Sequence, residues 1–240
     1  MPKLSIIILT KNRSELLKKA LASVLAQTFT DYEVFVVNDG STDETLVVLR
    51  GVKIKDLKII NHESSLGITQ SRQEALMQAT GEYVAILDDD DEWVDPEKLE
   101  KQARYLDSHP QAVLVGGGRV SLGLAKFRPE SDQEIRNTML LRNNFFTSTV
   151  MFRRQPAISA GGFKKDGADL AEDYDLWLRL GKSGKMYNFR EVFTNYRLPS
   201  YNKEKFRQFL NKQLKLIKQH KNDYSFYYLA SLILRLRLLF

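Results

Sequence analysis

The stretch that decides the fold is residues 81–93, Gly-Glu-Tyr-Val-Ala-Ile-Leu-Asp-Asp-Asp-Asp-Glu-Trp. Residues 83–87 have the length and unbroken apolarity of a strand buried on both faces, and Gly81 ends the helical pattern before them. The five acidic residues 88–92 follow at the carboxyl end of that strand. In open α/β sheets, ligands bind in the crevice beyond the carboxyl ends of the strands. The sequence therefore predicts that the acidic run lines a binding crevice.

The chemistry of the acidic run indicates a metal site. Adjacent carboxylates repel one another, and burying them is costly unless a cation or solvent compensates their charge. The Asp-x-Asp spacing occurs twice, as Asp88/Asp90 and Asp89/Asp91. Carboxylate, phosphate and water oxygens are the ligands that Mg²⁺ and Mn²⁺ prefer. Charge runs are more often solvated loops, but the position directly after a buried strand favours a divalent metal here.

Composition narrows the class of protein. The 240 residues, 43% of them hydrophobic, suffice for one large domain or a domain with an appendage. The absence of cysteine excludes disulfides, thiolate metal sites and a cysteine nucleophile, and it fits a reducing compartment. The apolar run of residues 4–9 is too short for the core of a signal peptide. We therefore expect a cytoplasmic protein.

The net charge of +6 is concentrated at one end of the chain. Residues 201–240 hold nine Lys and Arg against two acids, about +7, which leaves about −1 for the first 200 residues. A near-neutral body with an acidic cluster lacks the basic surface of a nucleic-acid binder. We therefore expect no nucleic-acid partner.

Strand and helix patterns alternate along the first half of the chain. Predicted strands cover residues 4–9, 32–37, 57–60, 83–87 and 112–120, and predicted helices follow the first four of them. Ser14 is the predicted N-cap of the first helix. Residues 116–118, three glycines, are expected to interrupt the fifth strand. The alternation predicts an α/β fold, with a mostly parallel central sheet flanked by helices.

The second half has a looser pattern. It predicts a loop and a short helix over residues 122–142, a strand over 145–152, a helix over 171–180 and two short strands over 186–189 and 193–197. Two helices, one basic and one very apolar, are predicted over 203–220 and 224–240. The chain is thus expected to end in a helical extension.

Four segments, in this order, resemble the family 2 glycosyltransferases, which have the Rossmann-like GT-A fold. They are residues 6–13 (Ile-Ile-Ile-Leu-Thr-Lys-Asn-Arg), 37–43 (Val-Asn-Asp-Gly-Ser-Thr-Asp), 87–93 (Leu-Asp-Asp-Asp-Asp-Glu-Trp) and 172–180 (Glu-Asp-Tyr-Asp-Leu-Trp-Leu-Arg-Leu). The resemblance implies a GT-A domain over residues 1–200, with a nucleotide-sugar half at 1–120 and an acceptor half at 121–200. Residues 201–240 lie outside it as a basic and apolar tail.

The resemblance also implies an activity, which is transfer of a sugar from a nucleotide-diphosphate donor to an acceptor hydroxyl, with inversion at the anomeric carbon. The acceptor would be a growing polysaccharide, O-antigen or glycolipid. Asp39 matches the carboxylate that accepts a hydrogen bond from the imide N–H of uracil or thymine, which favours UDP or dTDP donors. Thr10 and Arg13 match positions lining the nucleotide pocket, and Arg72 matches an arginine facing the donor phosphates. The competing interpretations are a turn-forming Asp39, an exposed Arg13 and a surface salt bridge at Arg72.

In the family's Asp-x-Asp-Asp pattern, Asp88 holds the ribose or a metal-bound water and Asp90 ligates Mn²⁺ or Mg²⁺. Here the x is also an aspartate, Asp89, which is assigned to nucleotide binding, so the register of the metal ligands stays open, with Asp90 ranked first, Asp88 second and Asp89 third. Asp173 matches the general base, with Glu172 beside it near donor and acceptor. The alternative is that both acids only stabilise the start of a helix.

Some relatives carry a metal-binding histidine after the late Tyr-Arg strand, and the segment after Tyr196 and Arg197 has none. His62, His109 and His220 are interpreted as surface or packing residues. Any metal would then be held by carboxylates and diphosphate alone, which favours Mg²⁺ or Mn²⁺ over zinc.

Two other classes of protein compete with this interpretation. A nucleotidyltransferase would show a glycine-rich basic loop after the first strand, but residues 10–14 contain no glycine. A non-catalytic module that binds nucleotide sugars or glycans would have no need of both Asp90 and Asp173.

The tail combines a helix rich in lysine with an apolar stretch, residues 226–240, that is shorter than the ~20 residues needed to cross a bilayer. Two interpretations stay open. The tail lies on the inner face of the cell membrane, with its cations on anionic headgroups, which suits a lipid-linked acceptor. Alternatively, it packs on the body or on a second copy in a homodimer. We favour peripheral membrane contact.

Overall fold

A computed structural model describes residues 1–164, 171–198 and 203–239. The predicted boundary between domain and tail, at residue 200, lies outside these ranges. The strands are β1 Leu4–Thr10, β2 Tyr32–Asn38, β3 Leu57–Asn61, β4 Tyr83–Asp88, β5 Glu92–Trp93, β6 Ala112–Ser121, β7 Leu124–Lys126, β8 Met151–Arg153 and β9 Lys185–Asn195. The helices are α1 Ser14–Leu25, α2 Thr45–Gly51, α3 Ile68–Gln78, α4 Lys98–Ser108, α5 Asp132–Thr138, α6 Arg154–Ser159, α7 Glu172–Leu180, α8 Lys203–Gln219 and α9 Tyr227–Leu239, with a 3₁₀ turn at Thr147–Thr149.

The strands form one sheet in the order β3-β2-β1-β4-β8-β6-β9-β5, with β7 paired to β6. The predicted α/β class, with flanking helices and a helical extension, is confirmed. The prediction of parallel pairing is correct for β3, β2, β1 and β4. In the other half the sheet is mixed, because β8 runs antiparallel to both β4 and β6. Apolar periodicity reveals a strand but not its direction, so the sequence did not predict this reversal.

Side chains of the parallel strands alternate between two cores. In β1, Ile7 faces a core shared with α3 and α7, whereas Ile6 and Ile8 face a core shared with α1 and α4. The sheet is therefore covered on both sides, which explains why its strands are continuous apolar runs.

The structure differs from the strand prediction in three details. The strand predicted over residues 145–152 is a 3₁₀ turn at Thr147–Thr149 followed by the short strand β8, Met151–Arg153. β6 is continuous through the three glycines, but its pairing with β9 shifts register between Gly116 and Gly118 and again before Arg119, so the predicted interruption is a local irregularity and not a break. A side chain at Gly117 would collide with the ring of Phe193. Glycine here admits an aromatic ring against the backbone rather than ending the strand. β9 is one strand of eleven residues where two were predicted.

The predicted cap of α1 is also wrong. The helix begins at Ser14 itself, and Arg13 occupies the cap position. The Ser14 amide is instead satisfied from outside the helix, by Asp43 Oδ2 at 3.1 Å.

The tail packs on the body. Leu210, Leu216 and Leu234 belong to the core that contains α7, and the Tyr224 hydroxyl donates a hydrogen bond to the Leu178 carbonyl at 2.7 Å. This agrees with packing on the body, one of the two interpretations left open, and does not test membrane contact. None of the helices in the described part of the chain combines the length and apolarity that a bilayer crossing requires.

Candidate functional site

The first part of the site forms where β1, β2 and β4 end. These strands are parallel and adjacent, so their carboxyl ends meet at one edge of the sheet, with Thr10 opposite Asn38 and Leu9 opposite Asp88. A cavity of about 480 Å³ opens there. Its walls include all seven residues predicted to contact nucleotide or metal, namely Thr10, Arg13, Asp39, Arg72, Asp88, Asp89 and Asp90. We call it the β1 cavity.

A second cavity, of about 430 Å³, lies next to the first. Its walls include Glu172 and Asp173, the predicted catalytic pair. Arg72 and Asp88 line both cavities, so the two share a wall. We call it the α7 cavity, because both acids lie at the start of α7.

Asp39 sits at the end of β2 inside a dense set of hydrogen bonds. Its Oδ1 and Oδ2 are bound by His62 Nδ1 (2.9 Å), the Leu66 amide (2.8 Å), the Ser71 hydroxyl (3.2 Å), the Ser65 hydroxyl (2.5 Å) and the Gly67 amide (3.1 Å). Burial opposes ionisation of Asp39, but these bonds prevail and lower its pKa to about 2. Asp39 is therefore an ionised anchor for the loop before α3 at neutral pH.

His62 is the partner of Asp39 that the sequence did not reveal. It was interpreted as a surface or packing residue, yet its ring links Asp39 to Glu74, whose Oε2 lies 3.0 Å from Nε2. Its side chain is 8% exposed. Burial disfavours the imidazolium, but Asp39 and Glu74 raise the pKa of His62. The sequence offered no signal for this contact, because the two residues come together only when β3 pairs with β2.

The four aspartates of the acidic run divide into two pairs. Asp88 and Asp90 keep open side chains, 31% and 24% exposed, and both line the β1 cavity. Asp89, 6% exposed, is bound by Arg13 Nη1 at 2.8 Å, and the same nitrogen lies 3.0 Å from Asp90 Oδ2. Arg13 is thus an ion-pair partner of the acidic run.

Asp91 turns away from the β1 cavity. It accepts hydrogen bonds from the Ser148 hydroxyl at 2.5 Å and from the Arg197 amide at 3.0 Å. Burial, with repulsion from Asp88, raises the pKa of Asp91 to about 8. Asp91 therefore fastens the acidic run to the neighbouring segments rather than facing a ligand.

Arg72 connects the two cavities. Its Nη2 donates to Asp88 and its Nη1 donates to Glu172, and the arginine and glutamate side chains are 4% and 5% exposed. The alternative of a surface salt bridge is therefore wrong. Burial raises the pKa of Glu172 and repulsion from Asp173 adds to this, whereas Arg72 acts in the opposite direction.

Asp173 presents its carboxylate to the α7 cavity. Its Oδ2 accepts hydrogen bonds from Thr147 Oγ1 at 2.6 Å and Asn143 Nδ2 at 3.2 Å, and its Oδ1 accepts one from the Tyr174 amide at 2.6 Å. Neutral donors hold it, whereas Glu172 is tied to Arg72. Of the two acids, Asp173 is the one that can take up a proton from a ligand without breaking an ion pair.

The carboxylates fit a divalent cation that is only partly held by protein. In the described part of the chain, no three His, Cys, Asp or Glu side chains are grouped to hold a metal by themselves. Asp88 and Asp90 offer oxygen ligands, which suit Mg²⁺ or Mn²⁺ with the remaining positions left to phosphate and water. Burial raises the pKa of Asp90 although Arg13 acts against it, so negative charge at this position is incompletely compensated.

The sequence did not predict several of the residues that line the α7 cavity. They comprise Arg119, Arg128, Asn143, Phe145, Phe146 and Tyr196, together with Phe206 and Gln213 from α8. Most of them belong to segments in which the apolar pattern was too irregular to predict which side chains face the same side. The other two belong to α8, which was predicted to lie outside the domain. The polar run Asn143-Asn144 beside Phe145-Phe146 was the one available signal.

Comparison with known proteins places the chain in a family. The sequence profile described as "Glycosyl transferase family 2" matches residues 5–163. The amylovoran biosynthesis glycosyltransferase AmsE of Erwinia amylovora is 33% identical over 181 residues, which cover 72% of this chain and 67% of that protein. A GalNAc(5)-diNAcBac-PP-undecaprenol beta-1,3-glucosyltransferase of Campylobacter jejuni is 29% identical over 205 residues, which cover 82% of this chain and 65% of that protein. The chain thus spans about two thirds of the length of these relatives.

Solved structures resemble it in fold. S. aureus TarS 1-349 in complex with UDP-GlcNAc superposes with a TM-score of 0.72 at 21% identity, covering 90% of this chain and 66% of that one. The mannosyltransferase PcManGT of Pyrobaculum calidifontis, in complex with GDP-Man and Mn²⁺, superposes with a TM-score of 0.72 at 20% identity. The match covers 99% of this chain and 69% of that one. These neighbours confirm the GT-A fold expected from the sequence. With the fold, the profile match and the identity to AmsE in agreement, the chain belongs to glycosyl transferase family 2.

Proposed function

We propose that this protein moves a sugar from a nucleotide-diphosphate donor to an acceptor hydroxyl, with inversion, during assembly of a glycan. The observation that carries the proposal is the wall shared by the two cavities. Arg72 and Asp88 border both the β1 cavity and the α7 cavity. A donor in the first cavity would therefore bring its anomeric carbon towards Asp173 in the second, as a single displacement requires.

The β1 cavity takes the nucleotide in this proposal, and Asp39 accepts the imide N–H of a uracil or thymine base. The Ser65 hydroxyl and the Gly67 amide donate to Asp39 Oδ2 in the structure, and of these two donors the hydroxyl can rotate away without moving the backbone. Base binding thus exchanges one hydrogen bond for another. The structure of TarS in complex with UDP-GlcNAc supports a uridine donor, and that of PcManGT in complex with GDP-Man shows that the fold also accommodates guanosine donors.

Asp90 and Asp88 would hold Mn²⁺ or Mg²⁺ together with the donor diphosphate. Their side chains are 31% and 24% exposed, which supports this choice over Asp89 and Asp91, whose carboxylates are buried against Arg13 and Ser148. Arg13 also reaches Asp90 and Arg72 reaches Asp88, so a bound metal would share these oxygens with the two arginines. When bound, the metal supplies Lewis-acid stabilisation of the departing diphosphate. Arg72, pointing at the same edge, adds a fixed positive charge, and Arg13, Thr10 and Asp89 complete the pocket wall.

Asp173 is the general base of the proposal. Its neutral partners, Thr147 and Asn143, hold the carboxylate in place without charge compensation, so it remains an acceptor for the proton of the attacking hydroxyl. Such catalysis is typically worth ~10²–10⁴-fold in rate. Glu172 forms an ion pair with Arg72 and so positions this arginine near Asp173.

The acceptor would be a glycan or a lipid-linked sugar. Two relatives support this, since one is named for amylovoran biosynthesis and the other for a sugar carried on PP-undecaprenol. The protein would work in the cytoplasm, at the inner face of the membrane. Exposed apolar side chains on α9, among them Leu229, Leu232 and Leu236, supply a surface for peripheral contact.

The test separates binding from chemistry. Nucleotide binding is measured by calorimetric titration of the full chain with UDP, dTDP, GDP and CDP, in Mn²⁺ or in EDTA. Transfer is measured as release of nucleotide from the sugar donor that carries the nucleotide found to bind, with a glycolipid extract as acceptor. Asp90→Ala should lose metal-dependent nucleotide binding. Asp173→Asn should keep the nucleotide affinity within about twofold and lose transfer by at least ~10²-fold.

Exposed Glu100→Gln is the matched control and should change neither readout. Unchanged turnover in Asp173→Asn would refute the base. Pyrophosphate release with a nucleoside triphosphate would support the nucleotidyltransferase alternative, and nucleotide-sugar binding without turnover of any donor would support the binding module.

A further inference from the structure

The α7 cavity contains two arginines that the proposed reaction does not use. Arg119 lies on β6, with its Cζ 3.6 Å from the ring centroid of Tyr196 and 4.5 Å from that of Phe146. Arg128 follows β7, with its Cζ 4.6 Å from the Phe146 centroid. Both guanidinium groups thus stack near the ring of Phe146, so two positive charges lie close together on one wall of the α7 cavity.

Neither arginine has an acidic partner in the part of the chain that the structure describes. Their side chains form no ion pair or hydrogen bond there, and the Nε atoms of both are buried without an acceptor. Other inward-facing arginines of this protein are satisfied, since Arg72 meets two carboxylates, and Arg179 meets Asp175 and two backbone carbonyls. Stacking on aromatic rings explains how Arg119 and Arg128 are held, but it leaves their donors unused.

Among the described residues, the α7 cavity is lined by three arginines and three carboxylates, but none of these carboxylates pairs with Arg119 or Arg128. Burial, with repulsion from Arg142 and Arg119, lowers the pKa of Arg128 to about 10. Clustered cations without counter-ions carry an electrostatic cost, and an oxyanion between them removes it. Two guanidinium groups with a third nearby match a doubly charged group better than a single carboxylate.

From this geometry we infer that the α7 cavity binds the acceptor through a phosphate or diphosphate group, held by Arg119 and Arg128. The inference rests on the proposed function, because it takes the cavity of Asp173 as the acceptor site. Phe206 from α8 forms an apolar wall of the same cavity and is 43% exposed. The cavity therefore offers cationic and apolar surfaces together, as a phosphate with an apolar substituent requires.

The experiment measures binding of four probes to the full chain saturated with UDP and Mn²⁺, so that phosphate cannot enter the β1 cavity. The probes are glucose, glucuronate, glucose 1-phosphate and geranyl diphosphate. We expect at least one phosphate probe to bind tenfold or more tightly than glucose and glucuronate. Preference for glucose 1-phosphate indicates a phosphorylated glycan, and preference for geranyl diphosphate indicates a lipid-linked acceptor.

The variants decide whether the two arginines are responsible. Arg119→Gln with Arg128→Gln should reduce the affinity for the phosphate probe at least tenfold and leave the affinity for UDP unchanged, which also shows that the variant is folded. Arg128→Lys should restore part of the loss. The control is Arg190→Gln. Arg190 is an exposed arginine whose Cζ lies 5.1 Å from the ring centroid of Phe127. This variant should bind the phosphate probe as tightly as wild type does.

Equal binding of glucose and the phosphates, preference for glucuronate, or no binding of any probe would overturn the inference. Phosphate binding that survives in the double variant would overturn it too. A failure of UDP to bind would count against the proposed function instead, and the arginine variants would then be compared without nucleotide.

Discussion

Arg72 and Glu172 form an ion pair in which both side chains are about 95% buried, at 4% and 5% exposure, and the same guanidinium also reaches Asp88. The pair joins α3 to α7 and lies where the two cavities meet. Removing one partner of such a pair leaves an uncompensated buried charge, whereas removing both does not. The pair therefore ties the stability of the protein to the geometry of its site.

The first prediction concerns this pair. Arg72→Met should lower the free energy of unfolding by about 3–5 kcal/mol, because Glu172 and Asp88 then face each other without a cation. Adding Glu172→Gln should recover part of that loss, which a double-mutant cycle in urea would measure. Arg104→Met is the control, since Arg104 pairs with Glu100 on the surface and should change stability little. Additive effects of the two substitutions would contradict the prediction.

The second prediction concerns base recognition at Asp39. Asp39→Asn should weaken UDP binding at least tenfold, because an amide cannot accept all the hydrogen bonds that the carboxylate accepts. Ser65→Ala should bind UDP as well as wild type or a few times better, because the base no longer competes with the Ser65 hydroxyl for Oδ2. Calorimetry with UDP and GDP measures both.

Ser71→Ala is the comparison for that experiment, since its hydroxyl donates to the other oxygen of Asp39. It should not improve UDP affinity. If Asp39→Asn weakens UDP and GDP equally, Asp39 only anchors the loop, and the preference for uridine or thymidine has another origin.

The third prediction is a pH dependence of stability at Glu33, far from the site. Burial opposes ionisation of Glu33, but hydrogen bonds from Lys58, Ser5 and Thr80 lower its pKa from 4.5 to about 2. Between these values the unfolded chain binds more protons than the folded one, so the free energy of unfolding falls as the pH falls from about 5 to about 2. Its full contribution above that range is about 3 kcal/mol.

Comparison of wild type with Glu33→Gln in urea would isolate this contribution. The variant should be less stable at pH 7, and the difference should shrink towards pH 3. Glu15→Gln, at an exposed ion pair with Lys18, is the surface control and should change stability little. A difference that stays constant with pH would mean that lost packing, not ionisation, destabilises the variant.

The parts predicted from the sequence are those in which one local pattern determines the structure. A continuous apolar run followed by acids placed β4 and the β1 cavity correctly, because parallel strands bring their ends together whatever the rest of the chain does. The α7 cavity was not predictable in this way. Arg119, Phe146 and Phe206 come from three segments far apart in sequence, and only packing brings them to one wall. His62 was missed for the same reason, since strand pairing alone brings it to Asp39.

The last prediction concerns the exposed face of α9. Leu229, Leu232 and Leu236 are 47%, 56% and 48% exposed on the described tail, at helical spacing, while Leu234 faces the core. On an anionic vesicle these three side chains would lose water contact, and each contributes on the order of 1 kcal/mol. Replacing all three with serine should therefore lower partitioning onto phosphatidylglycerol vesicles at least tenfold without unfolding the chain.

Flotation of the full chain with such vesicles measures this partitioning, and circular dichroism checks the fold. Leu122→Ser with Leu124→Ser is the control, because these leucines are also exposed but lie away from α9, in the β6–β7 turn and at the start of β7. Binding should weaken in 0.5 M salt, since the lysines of α8 act through screened charge. If the triple variant floats like wild type, α9 is not the membrane surface. If it instead changes from dimer to monomer in sedimentation, the same face binds a second copy of the chain.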